Sequence, residues 1–238
     1  MNNNEAPAHF RYADAVIVFF VVVLITSNIA SSAKIVDLKF SIFGIHLAFD
    51  GGTLLFPIAY VIGDLLTEVY GFKTARRAIW MGFMALALSV LFFFALRILP
   101  GEASWESYAG SAAYDSILGG MSTGGIAIAS LAGYFTGEFS NSVIHSRMKV
   151  LMKGRLLWVR AIGSSIIGEL LDSIVFIGIA TLAGVFPREL FVTLAFTNYI
   201  FKLTIEVLVI PLTYLAVYVL KKAEGQDVYD VGVKYKLF

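Results

Sequence analysis

Cysteine is absent from the 238 residues, which removes disulfides, thiolate chemistry and soft-metal sites in one step and leaves the redox compartment unread. Charge is almost as scarce. Charged residues fill 15% of positions, where an ordinary globular domain has about a quarter. The net charge of +1 supplies no field for nucleic acid, so none is expected as a partner. No cleavable signal is expected: the opening MNNNEAPAHFRYAD is polar, and the first apolar run is too long for a signal core and lacks a small-residue cleavage pattern soon after. The histidines His9, His46 and His145 fall in three separate polar segments with no ligand partner at helical spacing, so neither metal nor cofactor is expected. What fills the space is hydrophobic. Apolar residues make up 58% and the mean hydropathy is +0.81, which marks a polytopic membrane protein.

A crossing takes about 20 mostly apolar residues. Six segments qualify: 14–33, 51–70, 78–99, 116–141, 156–183 and 190–220. The expected fold is therefore an all-α integral membrane bundle of six transmembrane helices. It forms one membrane domain over 1–238, with 221–238 as a cytoplasmic tail without helical period. The fourth span is the most polar, and its glycines, among them Gly133 and Gly137, permit close helix approach. They suit an interface within one chain or between two, so a homodimer stays open.

Loop lysines and arginines set the direction. Arg11, the Lys73–Arg77 group, the Arg147–Arg155 group and the four tail lysines put twelve on one side, against four on the other. Both termini are thereby expected in the cytoplasm. On the outer side, KIVDLKFSIFGIHLAFD (34–50) alternates apolar residues about Gly44, which predicts a short extracytoplasmic β-hairpin between the first two helices; a plain loop is the alternative. The acidic segment 100–115 either covers an entrance or is a solvated loop.

Ionisable groups inside a span are costly and usually face a bundle interior, so each marks a candidate site. Asp64 and Glu68 share a face of the second span with Tyr60. Glu138 and Asn141 do the same on the fourth with Tyr134, and the fifth offers Ser165, Glu169, Asp172 and Ser173. Asn198, Lys202 and Glu206 follow at four-residue steps and form one stripe on the sixth. Counting along the helices puts Asn28, Asp64, Glu169, Asp172 and Lys202 about 18–24 Å from their entry faces. Glu68, Glu138 and Asn141 fall nearer the cytoplasm, with Glu206 between. Such a pair of clusters is what a site with a gate requires.

Six acids in the spans face two bases, Arg160 and Lys202. Lys202 has Glu206 or an acid across the bundle as partner, and Glu68 has Arg76 or Arg77. At least two central acids are left over. Each must keep its proton or receive donors from a ligand, and Glu169 and Asp172, three apart, are expected to titrate together. The bland alternative is that all these charges are salt bridges holding helices together. Aromatic residues, 14% of the chain, offer a stacking face for a flat ligand.

SNIASSAKIV at the end of the first span, GDLLTEVYGFKTARR after the second, GELLDS in the fifth, NYIFKLTIEVL in the sixth and EGQDVYD in the tail together resemble the queuosine precursor transporters of the vitamin uptake transporter family. The resemblance runs over essentially the whole chain. It implies import of 7-cyano-7-deazaguanine, its aminomethyl relative or queuine across the bacterial inner membrane for tRNA modification. It also implies a fold similar to the six-helix substrate-binding subunits of energy-coupling-factor importers, with no dedicated ATPase partner and no enzymatic activity. The residue chemistry agrees with such a purine-like molecule. A guanine-type edge presents N1–H and an exocyclic amine side by side, the donor pair that a carboxylate accepts, and a base lacking that pair leaves the acid unsatisfied. Glu169 or Asp172 is expected to read that edge, with Asn28 and Asn198 reading the acceptors. Phe176 or Tyr199 stacks on the rings, Asp64 lines the site and Lys202 balances the acids. Glu68, Glu138, Asn141 and Glu206 gate the path or balance its charge.

Two rival classes remain. The binding subunit of an ATP-driven vitamin importer would have the same pocket but need partner chains. An intramembrane aspartyl protease built on Asp64 and Asp115 fails on depth, since Asp115 sits at the outer end of its helix. Proton coupling and facilitated diffusion are both compatible with the surplus of acids.

Overall fold

The computed structural model describes residues 10–42, 45–122, 124–184 and 188–237. Helix α1 (Ala13–Ala33) leads into strands β1 (Ile35–Ile42) and β2 (Ile45–Asp50), then a 3-10 turn (Gly51–Leu54). Helices α2 (Phe56–Tyr70) and α3 (Phe72–Ile98) follow, then the short α4 (Ala103–Tyr108), α5 (Gly110–Ser122) and α6 (Gly124–Leu151). After α7 (Leu157–Leu182) comes a 3-10 turn (Arg188–Leu190) and the long α8 (Phe191–Glu224). The polar segment with His9 lies outside the described residues.

Among the described residues five helical stretches are long and apolar enough to cross a membrane: Ala13–Ala33, Phe72–Ile98, Gly110–Leu151, Leu157–Leu182 and Leu194–Glu224. Large apolar side chains such as Leu88 and Leu91 on α3, and Leu208 and Leu212 on α8, are exposed on these helices. Lipid is the solvent that such faces fit. The second expected span, 51–70, is not among them. Its first residues turn as a 3-10 helix, and α2 has only 15 residues, about 22 Å against a ~30 Å hydrocarbon core. Almost every residue of α2 from Pro57 to Tyr70 is buried, because α1, α3, α6 and α8 all pack on it. A helix wrapped this way has no lipid thickness to match.

Other boundaries move as well. α3 starts six residues before its expected span, directly after Gly71, so Lys73, Arg76 and Arg77 ride on a helix rather than in a loop. α6 runs ten residues past the expected 141. Segment 100–115, expected as a loop, contains an exposed short helix whose first turn is capped by Glu102 accepting from Trp105 N, and then the start of α5. Between α1 and α2 the backbone pairs β1 with β2 antiparallel, with Ile35 opposite Asp50 and Ile42 opposite Ile45. An irregularity separates Asp37 from Ser41.

Helices α6 and α7 make the most extensive contact in the bundle. Glycine is the reason. A Cβ on Gly137 would lie 3.0 Å from the Gly168 carbonyl and 2.7 Å from Asp172 Cβ, and one on Gly168 would meet Asn141 Cβ at 2.8 Å. Backbones that approach this closely leave no room for a methyl group. The glycine pattern of the fourth span is thus used within the chain.

The tail, expected as a plain extension, is docked. Glu224 accepts hydrogen bonds from the Arg11 and Tyr12 amides at the start of α1. Asp230 accepts from the Phe72 amide at the start of α3 and from Ser146 on α6. A carboxylate at a helix N-terminus satisfies orphan amides and the positive end of the dipole together. Gly71 makes the fit possible: its φ is +82°, and a Cβ there would strike Val228 at 2.8 Å. Arg76 and Trp80 donate to the carbonyls of Lys236 and Leu237.

Candidate functional site

Helices α2, α6, α7 and α8 bring the predicted acids together in two adjoining layers. The inner layer is near the end of the bundle where α2, α6 and α8 terminate. Its centre is Glu68, which is buried and has four basic neighbours. Arg160 donates to Oε2 at 2.8 Å, and His145 Nε2 lies 3.1 Å from the same oxygen. Lys221 donates to Oε1 at 2.6 Å, and Lys149 Nζ lies 3.7 Å from Oε1 while donating to the Glu68 carbonyl. The expected partners Arg76 and Arg77 are elsewhere, since Arg76 binds the tail and Arg77 approaches Asp14. The tail completes this layer. Asp227 receives Lys149 at 2.6 Å and Lys221 at 2.8 Å. Burial alone pushes the Asp227 carboxyl up, but hydrogen bonds from the two lysines outweigh it and hold the group below the ordinary aspartate range.

The central layer is differently made. Lys202 on α8 donates to Asp172 on α7, across the bundle, and its Nζ sits 4.9 Å from the centre of the Phe56 ring. Glu206 therefore does not pair with Lys202 along its own helix; one of its oxygens accepts from Ser165, and the other has no partner. Glu169 is buried, and neither of its oxygens receives a donor. Its carboxyl neighbours that of Glu206. So Glu169 and Asp172, expected to act as a pair, are separated: one takes the lysine and the other a second acid. Glu138 leaves Oε2 unpartnered, packed where a Cβ on Gly63 would lie 2.7 Å away.

Two depth assignments change. Glu138, expected in the inner layer, belongs with the central acids because α6 continues to Leu151, which puts it about 20 Å from that helix end. Asp64, expected at the centre, bridges the layers: Asn141 Nδ2 donates to it at 2.9 Å and His145 Nδ1 lies 3.2 Å away. Asn28 does not join the acids in these bonds. Its amide nitrogen donates to the Leu24 carbonyl and its oxygen accepts from Ser130, which ties α1 to α6. Asn198 and Tyr199 are half-buried on α8, and Phe176 is half-buried beside Gly133. Glu169, Glu206, Glu138 and Asp64 are all buried, and the surface hollows beside Lys73 and beside Leu88 are lined by other residues.

Sequence reasoning missed His145, and with it the true setting of Lys149, Lys221 and Asp227. The signal was present. His145 and Lys149 continue the four-residue stripe from Asn141, but the cut at 141 assigned them to a loop. Among the described residues no group of histidine and acids is arranged to hold a metal ion. Asp115 pairs with Arg97 at 2.7 Å near the surface, far from the acids of the core, which removes the aspartyl protease geometry.

Known proteins give the same picture. The chain is 27% identical over 166 residues to a "Probable queuosine precursor transporter" of Bacillus subtilis, covering 69% of this chain and 70% of that one. It is 28% identical over 159 residues to a protein of the same description from Haemophilus influenzae, covering 66% and 63%. It is 26% identical over 181 residues to the "Queuosine precursor transporter" of Escherichia coli, covering 75% and 76%. No solved structure matches. The sequence profile described as "Putative vitamin uptake transporter" matches residues 50–216, from the end of β2 through most of α8. This multi-pass membrane protein, with its buried acids and five long apolar helical stretches, belongs to the vitamin uptake transporter family.

Proposed function

We propose that this chain imports queuosine precursors, which are 7-deazaguanines such as 7-cyano-7-deazaguanine, its aminomethyl relative or queuine, across the bacterial cytoplasmic membrane. Both termini face the cytoplasm, the hairpin of β1 and β2 lies on the outer side, and α2 is the sixth crossing, shielded from lipid by its neighbours. The relatives named as queuosine precursor transporters support the substrate class.

The observation that carries the reading is the Glu169 carboxyl, buried with no N–H or hydroxyl donating to either oxygen. A guanine-type edge supplies the two missing donors side by side. Glu169 then reads the base, while Asp172 is already engaged by Lys202. Phe176 and Tyr199 provide stacking faces, and Asn198 reads the acceptor edge. Asp64 and Glu138 line the path inward, and the Glu68 layer with the docked tail is the inner gate. Asn28 serves this site by holding α1 to α6. The described conformation is the occluded one, and α7 parting from α8 admits the base.

The test is uptake of labelled 7-cyano-7-deazaguanine by cells carrying Glu169→Gln at normal membrane abundance. Replacing one acceptor oxygen with a donor costs a charge-assisted bond, roughly 1.5–3 kcal/mol, so affinity falls at least tenfold. Unchanged uptake and affinity remove Glu169 from the site.

A further inference from the structure

Beside the unsatisfied Glu169 lies a polar chain that the import reading leaves without a role. It starts at the Glu169–Glu206 carboxyl pair. Ser165 donates to Glu206 and also lies 3.4 Å from Asn141 Oδ1. Asn141 donates to Asp64 at 2.9 Å, and His145 stands between Asp64 and Glu68 with one ring nitrogen toward each, at 3.2 and 3.1 Å. Every member is buried. The chain therefore joins the centre of the bundle to its basic end without touching either lipid or water.

A buried imidazole with a carboxylate on each nitrogen can take up a proton on one side and give it up on the other. Buried carboxyls whose oxygens no donor reaches, beside a single lysine already bonded to Asp172, cannot all be anionic in a low dielectric, so the head of the chain holds a proton. Around that pair stand Tyr60 and Asp64 from α2, Glu138 from α6, Asp172 from α7, and Tyr199 and Lys202 from α8. Lys202 is the one cation of that set, and it is bonded to Asp172. Around His145 stand Asp64 and Glu68 from α2 and Ser164 from α7, with the Arg160, Lys149 and Lys221 cations grouped on the Glu68 side.

We propose that import is coupled to protons: one proton enters with each base at the Glu169–Glu206 pair and leaves toward the basic end through Asp64 and His145. This rests on the import reading and extends it. The base crosses unaltered; the proton leaves a carboxyl O–H, forms the imidazole N–H and is then released to the carboxylate on the far side. Glu206 and His145 are proton carriers here, and Asn141 and Ser165 position them.

The experiment uses the purified full-length chain in liposomes loaded with a pH indicator, with 7-cyano-7-deazaguanine outside. The expected result is acidification of the lumen when the base is added. One acid-outside pH unit is expected to raise the accumulation ratio about tenfold, the value for one proton per base. Glu206→Gln and His145→Gln, which keep polar side chains but cannot carry the proton, are expected to lose both responses. Uptake by the unaltered protein with neither acidification nor a response to the gradient overturns the coupling. Base that does not enter at all overturns the import reading, and the coupling with it. Should His145→Gln fail to reach the membrane, the unaltered protein and Glu206→Gln still decide the matter.

Discussion

The two layers of buried charge in this bundle contain the same residue types and behave oppositely. Around Glu68, four basic groups engage both carboxylate oxygens, so the carboxylate is held on all sides. Around Glu169, three carboxyls leave oxygens without donors and the one lysine is taken by Asp172. Burying a charge is costly in both places. The inner layer offsets that cost with partners already in the chain, whereas the central one leaves it open to a proton or a ligand. A buried charge thus says little until its partners are counted.

The largest break in the comparison is expected from Glu68→Ala. Removing the anion strands Arg160 and Lys149 in the core, and the loss of stability should be about 3–5 kcal/mol. Thermal unfolding in detergent measures it, with Glu169→Gln as the opposite arm, expected to unfold no earlier than the unaltered chain. If the two variants lose equal stability, the contrast between layers is wrong. Next in size is Gly168→Ala at the α6–α7 contact. A methyl group there meets Asn141 Cβ at 2.8 Å, and overpacking of this kind costs about 1–3 kcal/mol. Its unfolding midpoint should fall while the affinity of whatever protein remains folded drops too, since the same shift moves Asn141 off Asp64.

The smallest effect concerns Asp227, which is part-exposed. Asp227→Asn is expected to cost less than about 1 kcal/mol, and to be seen mainly as faster proteolysis of the tail. Its pH dependence has a definite sign. The folded carboxyl titrates below its ordinary value, so its contribution is fully present above about pH 4 and is lost as pH falls through the lowered folded value. Tail protection that holds steady down through that range would show that the lysine bridge contributes nothing.

Much of this was legible in the sequence because lipid simplifies the code. Long apolar runs gave five of the six expected crossings, and acids inside them gave the carboxylates of the central layer together with Glu68. The errors share one physical cause. Segment ends were placed where polarity rises, but a membrane protein can bury polar residues and continue its helix beyond that point. α6 does so through Ser142, His145, Ser146 and Lys149, all buried against α2, α7 and the tail. The short α2 is the converse, a helix freed from the membrane's length rule by being enclosed. Partner choice was illegible for a different reason. Whether Lys202 meets Glu206 or Asp172 is decided by the rotation of α8 against α7, and spacing along one helix cannot report that angle.

Segment 224–237 reaches the amide starts of α1 and α3 and the Lys149–Lys221 pair, and its own carbonyls at Lys236 and Leu237 accept from Arg76 and Trp80. It is also translated after every helix it touches. The first helix therefore waits, its leading amides unanswered, until the ribosome has delivered residues more than two hundred positions downstream. Closure of the basic end is on this view a late event in biogenesis, and a ribosome stalled after α8 would leave a threaded bundle with its lower face unlatched.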